Sequence, residues 1–378
     1  MKTTIFLFFS LIFTYHSSAQ ELSTITISSN GIARSFDMQL PVDFNDLPNN
    51  LPLVIVLHGS GGSGSDIGAY SGFYEAAIAN NFISVFPNGI SGEWNVEVNG
   101  DLNDGPDDVR FIGDIIDYLC GGYAINQNKV YVTGHSRGAY MAYHLAVASA
   151  DKIAAIAPVA GSMYGDNTFI TNYLQGGNFV KIPIMHIHGD ADQIVPYPDP
   201  NHQPTPYGEW PLTGFSVPTC GATTYNANDV IEIMPNVQKI PFCTNTGDSK
   251  EISLIRLLGG GHNWPNINTY PAAQEIWNFF NQHQLTLANT CVPLSITHPQ
   301  AENFYKIYPN PAKEVLNIEG LTPLKSVIIY DILGNMLSST FFNSSNLRIN
   351  LNNLKPGLYL IKMEDNNGNQ AIERIVKK

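Results

Sequence analysis

Basic residues are scarce in this chain. Its 378 residues include 19 lysines and arginines against 32 aspartates and glutamates, which gives a formal net charge of −13. Residues 20–303 are more acidic than the chain as a whole, with nine basic and 26 acidic side chains, whereas residues 304–378 have a net charge of +3. An acidic surface repels the phosphates of nucleic acids and of anionic lipids. We therefore expect no nucleic-acid partner, and a substrate that is neutral rather than a polyanion.

Long apolar segments are missing after the first twenty residues. No later stretch reaches the roughly 18 apolar residues that a transmembrane helix needs, so we expect no membrane span. At the start, Lys2 precedes an apolar run at residues 5–13, and the small residues Ser17, Ser18 and Ala19 come shortly after it. A basic start, a short apolar centre and a small-residue end predict a secretory signal peptide at residues 1–19.

Cysteine is also rare, with four residues in the whole chain. An exported chain meets an oxidising compartment, in which cysteines form disulfides. Cys220 and Cys243 flank a single polar segment, so we predict a bridge between them. Cys120 and Cys291 either pair or remain free, because connectivity does not follow from sequence alone.

The most informative segment that is present is Gly134-His135-Ser136-Arg137-Gly138. The apolar run before it predicts a buried strand, and residues 139–149 after it predict a helix. Strand, G-x-S-x-G and helix together are typical of a nucleophile elbow, in which the serine is exposed on a sharp turn. The glycines permit that turn because they have no Cβ. We predict that Ser136 is a nucleophile.

A serine nucleophile needs a base, and the base needs an acid that orients it. The predicted strand at residues 184–188 leads into a loop with Asp190 and Asp192, and the predicted strand at residues 252–257 leads into a glycine-rich loop with His262. Serine, acid and histidine follow in this order in enzymes with a nucleophile elbow. We predict His262 as the base and Asp192 as the acid, with Asp190 as the alternative.

A further glycine-rich segment, His58-Gly59-Ser60-Gly61-Gly62, follows the predicted strand at residues 53–57. A tetrahedral acyl intermediate carries a developing oxyanion, which backbone N–H groups stabilise. One such donor belongs to the residue after the nucleophile, here Arg137, and the other to a loop after an early strand. We predict that the N–H groups of Ser60 and Arg137 form this oxyanion hole.

Two tryptophans lie near the candidate residues. Trp264 follows His262 by two positions, and Trp94 lies in a loop rich in glycine and asparagine. Each is predicted either to line a substrate subsite or to pack in the core.

The acidic run at residues 101–108 lacks the EF-hand spacing with its terminal glutamate, so we predict a helix start there and no metal site.

Strands and helices alternate over the first three quarters of the chain. Predicted strands near residues 25–28, 35–40, 53–57, 83–86, 130–133, 153–158, 184–188 and 252–257 alternate with predicted helices near residues 67–80, 109–119, 139–149 and 272–282. This pattern predicts an α/β domain at residues 20–285, with a mostly parallel sheet covered on both faces. The candidate residues then lie at the carboxyl ends of strands, where such sheets bind ligands.

The pattern changes after a polar linker at residues 286–303. Short alternating strands near residues 315–318, 326–330, 347–351, 357–362 and 371–376 are separated by glycine, asparagine and aspartate. They predict a small all-β sandwich domain at residues 304–378.

Four motifs in this order resemble the secreted polyhydroxybutyrate depolymerase and feruloyl-esterase-like family of α/β-hydrolases. They are Leu57-His58-Gly59-Ser60-Gly61-Gly62, Gly134-His135-Ser136-Arg137-Gly138, His188-Gly189-Asp190-Ala191-Asp192-Gln193-Ile194-Val195-Pro196-Tyr197 and Gly259-Gly260-Gly261-His262-Asn263-Trp264-Pro265. The resemblance covers about residues 23–283. It implies an α/β-hydrolase fold, with Ser136 as nucleophile, Asp192 as acid and His262 as base.

The same resemblance implies a secreted serine esterase that acts through an acyl-enzyme and needs no metal or organic cofactor. Its expected substrates are polymer-derived esters, such as feruloyl or acetyl esters of polysaccharide, or polyhydroxyalkanoate. The sequence contains no long apolar lid segment, so long-chain lipids are less expected. A serine peptidase of the same fold and a surface-binding protein without catalysis are the alternatives.

Three segments near the C terminus resemble the C-terminal sorting domain of the type IX secretion system of Gram-negative bacteria. They are Tyr308-Pro309-Asn310-Pro311, Tyr330-Asp331-Ile332-Leu333-Gly334-Asn335 and Leu354-Lys355-Pro356-Gly357-Leu358-Tyr359. The resemblance implies that this machinery is a partner, and that the protein is secreted or attached to the cell surface. The alternative is an unrelated substrate-binding sandwich.

Overall fold

The structure is a computed structural model. It describes residues 22–42, 44, 47, 50–96, 105–123, 125–163, 180–197, 212, 215–216, 219–222, 225–244, 246–247, 250–286, 305–331, 336–366 and 370–378. The predicted signal peptide, Cys291 and nearly all of the predicted linker lie outside these residues.

A ten-stranded sheet forms the larger part of the molecule. Its strands are β1 (Ser23–Ser29), β2 (Ile32–Gln39), β3 (Leu51–Leu57), β4 (Ile83–Pro87), β5 (Ile125–His135), β6 (Ala155–Val159), β7 (Ile184–Gly189), β8 (Ile231–Met234), β9 (Val237–Cys243) and β10 (Ile252–Leu257). Their order is β1-β2-β4-β3-β5-β6-β7-β10-β9-β8. The central strands from β4 to β10 pair in parallel, and an antiparallel pair lies at each end. The predicted mostly parallel sheet is therefore confirmed.

Helices cover both faces of this sheet. They are α1 (Gly64–Ser71), α2 (Phe73–Asn80), α3 (Asp108–Tyr123), α4 (Arg137–Ala148) and α5 (Ala272–Phe280). Successive residues of a strand point to opposite faces. Accordingly, Ile55 of β3 is buried in one core with Phe111 of α3, and its neighbour Val54 is buried in a second core with Phe73 of α2.

Two local features differ from the sequence-based expectation. The helix predicted at residues 67–80 is divided into α1 and α2 by Gly72, whose φ of +77° lies in the left-handed region that ends a helix. The antiparallel hairpin of β8 and β9 was not predicted. It turns at Asn236, which has a φ of +62°, and asparagine is among the few residues that tolerate this conformation.

The C-terminal part is an antiparallel sheet of its own. Its strands are β11 (Tyr305–Tyr308), β12 (Val315–Asp331), β13 (Met336–Asn350), β14 (Gly357–Asp365) and β15 (Gln370–Lys377). The order is β11-β12-β14-β15, with β13 also paired to β12. Ile318 and Val327, from the two halves of β12, are buried in the same core. The predicted all-β domain is confirmed.

One long strand replaces two predicted short ones in this part. Gly320 and Pro323 favour a break between residues 318 and 326, but β12 continues through them with irregular pairing between Glu319 and Leu324. Extra or unpaired residues of this kind are accommodated as bulges, which bend a strand without ending it.

Within the residues described, no helix is both long and apolar enough to span a bilayer.

Candidate active site

Ser136 lies on a sharp turn between β5 and α4. Its φ and ψ are +52° and −119°, an unusual conformation for a residue with a side chain. Two glycines make the turn possible, because a Cβ on Gly138 would lie 2.4 Å from the carbonyl oxygen of Leu57, and one on Gly134 would lie 2.6 Å from the backbone of Gly138. The Ser136 N–H donates to the carbonyl oxygen of Val159 on the next strand. The elbow is thus held between neighbouring strands.

The structure brings Ser136, His262 and Asp192 together from three strand ends. His262 Nε2 lies 2.8 Å from Ser136 Oγ, and His262 Nδ1 lies 2.8 Å from Asp192 Oδ2. Because a carboxylate only accepts, Nδ1 donates its proton to Asp192 and leaves Nε2 to accept from the serine hydroxyl. This is the tautomer that a general base requires.

The Asp192 side chain is buried and has several donors. Its Oδ1 accepts hydrogen bonds from the N–H groups of Ile194 at 2.9 Å and Val195 at 3.0 Å. His188 Nε2 also lies 3.3 Å from Oδ2. Burial by itself raises the pKa of this carboxyl, but the hydrogen bonds from His188, His262 and the two N–H groups outweigh burial and hold the pKa of Asp192 well below its ordinary value. The group is therefore a carboxylate at neutral pH.

Asp190, the alternative acid, is used differently. Its Oδ1 accepts the N–H of Gly259 at 2.6 Å, while the N–H of Asp190 donates to the carbonyl oxygen of Leu257. These bonds join the end of β7 to the loop that carries His262. The geometry therefore favours Asp192 as the partner of the base, with Asp190 holding the base loop.

His58 braces the loop that begins at Gly59. Its Nε2 accepts the N–H of Gly89 at 3.0 Å, so Nδ1 carries the proton of the neutral ring and donates to the carbonyl oxygen of Gly59 at 2.7 Å. Burial lowers the pKa of His58, which keeps the ring in this neutral form. The Trp94 indole N–H donates to the carbonyl oxygen of His58 at 2.9 Å.

The loop that carries Ser60 adjoins Ser136. A Cβ on Gly59 would lie 3.4 Å from the Ser136 Cβ, so the two backbones approach closely. Arg137 follows Ser136 directly and begins α4. The N–H groups proposed for the oxyanion hole therefore belong to two segments that meet at Ser136.

Glu93 connects these two segments and was missed by sequence reasoning. Its Oε1 accepts the Ser60 hydroxyl at 2.5 Å and the N–H of Gly61 at 3.2 Å, and its Oε2 lies 3.0 Å from Arg137 Nε. Arg137 Nε also donates to the carbonyl oxygen of Trp94 at 2.9 Å. A lone glutamate in a polar loop gives no sequence signal for such a role, because its partners lie more than thirty residues away.

The two candidate tryptophans are buried. Trp94 is 1% exposed and Trp264 is 4% exposed, and each belongs to one of the two cores. These positions favour the packing alternative over a substrate subsite. Tyr70 on α1 is an exposed aromatic residue beside Trp264, since its hydroxyl accepts the backbone N–H of Trp264 at 3.0 Å and its ring lies edge-on to His135. Tyr70 lies on a short helix with no motif, so the sequence did not single it out.

The remaining predicted residues have mixed outcomes. Cys220 and Cys243 form the predicted disulfide, with their Cα atoms 5.9 Å apart. For Cys120 and Cys291 the sequence left pairing and free thiols open; Cys120 is disulfide-bonded, which favours pairing, and Cys291 lies outside the described residues. At the acidic helix start, Asp107 accepts the N–H of Arg110, as predicted for a helix N-terminus.

Comparisons with known proteins agree with both parts of the chain. Residues 101–200 match the family model described as phospholipase/carboxylesterase, and residues 306–378 match the one described as secretion system C-terminal sorting domain. The strand order and the elbow define an α/β-hydrolase fold, and residues 101–200 are similar to phospholipases and carboxylesterases. The chain ends in a type IX sorting domain, which directs it to the cell surface or the extracellular space.

Several curated proteins are similar to this chain. "Putative esterase NocK" of Nocardia uniformis subsp. tsuyamanensis is 27% identical over 69% of this chain and 79% of its own length. Feruloyl esterase D of Neurospora crassa is 28% identical, over 41% of this chain and 56% of its own length. Poly(3-hydroxyalkanoate) depolymerase C of Paucimonas lemoignei is 32% identical, over 33% of this chain and 31% of its own length. The chain thus spans less than two thirds of the latter two relatives.

Among solved structures, an acetyl xylan esterase from Aspergillus awamori has a TM-score of 0.48 and 17% identity, covering 68% of this chain and 99% of that one. The fold assignment does not depend on this likeness, because the strand order and the elbow define it.

Proposed function

We propose that this protein hydrolyses carboxylic esters outside the cell through an acyl-enzyme on Ser136. The single observation that carries the proposal is the hydrogen-bonded series Ser136 Oγ, His262 and Asp192, in which both contacts measure 2.8 Å. A nucleophile and a base within hydrogen-bond reach, with the base oriented by a third group, are what nucleophilic catalysis requires. The esterase relatives and the carboxylesterase match support the same reaction class.

In the first half of the reaction, Ser136 Oγ attacks the ester carbonyl while His262 Nε2 takes its proton. Asp192 stabilises the imidazolium that forms. The negative charge on the carbonyl oxygen is stabilised by the N–H groups of Ser60 and Arg137. His262 then donates its proton to the leaving alcohol, and the acyl group remains on Ser136.

In the second half, His262 Nε2 takes a proton from water, and the resulting hydroxide attacks the acyl-enzyme. The same oxyanion hole stabilises the second tetrahedral intermediate. Collapse of that intermediate breaks the bond to Ser136 Oγ, which recovers a proton from His262, and the carboxylic acid leaves. Every proton in this cycle moves through His262.

The substrates that we propose are uncharged esters derived from polymers, with hydroxycinnamoyl or acetyl esters of polysaccharide ahead of polyhydroxyalkanoate. Relatives named feruloyl esterase, acetylxylan esterase and poly(3-hydroxyalkanoate) depolymerase support this group of substrates. The acidic surface weakens binding of anionic esters. The half-exposed ring of Tyr70 offers a flat surface on which an aromatic or sugar-like group can stack.

Substitution of the nucleophile tests the mechanism. We expect Ser136→Ala to lower kcat on p-nitrophenyl acetate by about 10⁴-fold or more, because no other group can form the acyl-enzyme. Ser28→Ala, on the exposed side of edge strand β1, is the matched control and should leave kcat unchanged. Retention of more than a tenth of the activity in folded Ser136→Ala would overturn the triad.

A substrate screen tests the specificity. We expect a higher kcat/KM for methyl ferulate and p-nitrophenyl acetate than for p-nitrophenyl palmitate, and slower clearing of polyhydroxybutyrate granules. Faster hydrolysis of the palmitate ester would contradict the proposal. Cleavage of casein would indicate the peptidase alternative, and inertness towards all of these esters would indicate a binding protein.

A further inference from the structure

A buried row of polar side chains leads away from Asp192 into the core. His188 Nε2 lies 3.3 Å from Asp192 Oδ2 and 2.8 Å from the carbonyl oxygen of Val195. His188 Nδ1 lies 2.8 Å from His186 Nε2, and His186 Nδ1 lies 2.7 Å from the hydroxyl of Tyr143. The side chains of Tyr143, His186 and His188 are at most 1% exposed.

The positions of the protons in this row follow from its ends. A carbonyl oxygen only accepts, so His188 Nε2 carries a proton and points it towards Val195 and Asp192. With its proton on Nε2, His188 accepts at Nδ1, so the proton between the two rings lies on His186 Nε2. By the same reasoning His186 Nδ1 accepts from the Tyr143 hydroxyl. Every donor in the row is therefore directed towards Asp192.

Burial keeps His186 and Tyr143 neutral. Burial lowers the pKa of His186 well below its ordinary value, with a smaller contribution from neighbouring His188, and burial raises the pKa of Tyr143 well above its ordinary value. Neither group changes its charge near neutral pH. The row can thus hold one fixed pattern of donors.

We propose that His188 is a positioning residue for the catalytic acid: its Nε2–H, oriented by His186 and Tyr143, is an additional donor beside Asp192 that keeps this carboxylate facing His262. The inference rests on the proposed function, since it concerns the same acid. His188 touches neither the serine nor the substrate, so it acts only through Asp192.

Several hydrogen-bonding and titratable groups face the contact between His188 and Asp192. Asp192 receives hydrogen bonds from His262, His188 and the N–H groups of Ile194 and Val195. His188 faces Asp192, stacks on the ring of His186 and lies near the ring of Tyr197. His135, whose ring lies 5.1 Å from that of His262, is the other titratable neighbour of the pair.

Removal of the His188 donor should change how activity depends on pH. Loss of one hydrogen-bond donor to Asp192 raises the proton affinity of the coupled Asp192–His262 pair, so the pair takes up a proton at higher pH. The acid limb of the kcat/KM profile should therefore move to higher pH. Turnover should also fall by about tenfold, as expected when one hydrogen bond to a charged group is lost.

The experiment compares two substitutions at one position. His188→Leu removes the donor, whereas the amide nitrogen of His188→Gln can replace Nε2. We expect His188→Leu to move the acid limb upward by about half a pH unit, with kcat reduced and KM nearly unchanged. His188→Gln should restore most of kcat and return the limb towards its original position. Thermal unfolding and circular dichroism establish that both variants are folded.

His283→Leu is the matched control, because it removes another buried histidine that lies outside the row. It should leave the acid limb in place. Should His188→Leu not fold, Tyr143→Phe removes the outermost donor with the ring retained, and a smaller upward movement of the limb is expected. An unmoved limb in folded His188→Leu, or equal losses of kcat in the leucine and glutamine variants, would mean that His188 serves the fold alone.

This result can be separated from a failure of the proposed function. If wild-type protein hydrolyses esters and Ser136→Ala does not, an unmoved limb in His188→Leu overturns only the role of His188. If Ser136→Ala remains active, the mechanism itself is wrong, and the inference about His188 falls with it.

Discussion

The carboxylate of Asp190 accepts the backbone N–H of Gly259, at 2.6 Å from Oδ1. Asp192, two residues further along, accepts a hydrogen bond from the Nδ1–H of His262, with a distance of 2.8 Å between Nδ1 and Oδ2. The two aspartates therefore hold His262 in different ways. Asp190 fixes the loop on which His262 lies, and Asp192 fixes the imidazole itself.

The two aspartates should respond differently to loss of charge. Asp192→Asn places a neutral amide against His262 Nδ1 and disfavours the required tautomer, so we expect kcat to fall by about 10⁴-fold. Asp190→Asn keeps an oxygen that can accept from Gly259, so we expect a loss of about threefold or less. Steady-state kinetics on p-nitrophenyl acetate decides the assignment, and a larger loss in Asp190→Asn would reverse it.

Glu93 should affect turnover more than binding. Glu93→Gln keeps an oxygen for Ser60 and Gly61 but removes the charge that attracts Arg137. Because the two segments form the proposed oxyanion hole, we expect kcat to fall by about tenfold with KM nearly unchanged. The control is Glu75→Gln, an exposed acid of α2 that lies outside this network. Equal activity of the two variants would remove Glu93 from the positioning of the hole.

Two glycine-to-alanine substitutions should change stability in opposite directions. Gly138→Ala places a methyl group 2.4 Å from the Leu57 carbonyl oxygen, so the elbow must shift. We expect a loss of about 1–3 kcal/mol in the free energy of unfolding, together with loss of activity. Gly121→Ala in α3 has no atom within 4 Å of its Cβ and should gain about 0.5–1 kcal/mol. Urea unfolding measures both, and equal stabilities would contradict the steric argument.

Stability should decrease as the pH falls below about 6.5. Burial, the largest cause at both sites, lowers the pKa of His135 and of His283 to about 4. Between pH 6.5 and 4 the unfolded chain then binds more protons than the folded chain, so acidification favours unfolding. Asp192 has a lowered pKa, so its contribution is present above about pH 4 and is lost at lower pH.

His283→Leu tests this pH dependence at a position remote from the triad. The variant lacks one buried histidine, so its free energy of unfolding should fall less steeply than that of the wild type between pH 6.5 and 4. Urea unfolding at a series of pH values provides the comparison. Parallel curves for the two proteins would show that His283 is not a source of the slope.

Much of the site was accessible from the sequence because its parts are local. The glycines around Ser136 lie within five residues, and the turn that they permit depends on the absence of a Cβ at Gly134 and Gly138. The order of Ser136, Asp192 and His262 along the chain reflects the strands that carry them. The parallel sheet, the separate all-β domain and the Cys220–Cys243 bridge also followed from patterns within short segments.

Other features were decided only by the tertiary structure. Sequence favoured Asp192 but left Asp190 open, because only two positions separate them and the backbone at the end of β7 determines which carboxylate faces His262. Glu93 has partners at Ser60 and Arg137, and Trp94 is buried beside His58 rather than exposed to substrate. The row from Tyr143 to His188 likewise joins a helix to a strand. Such contacts depend on how distant elements pack, which no local pattern contains.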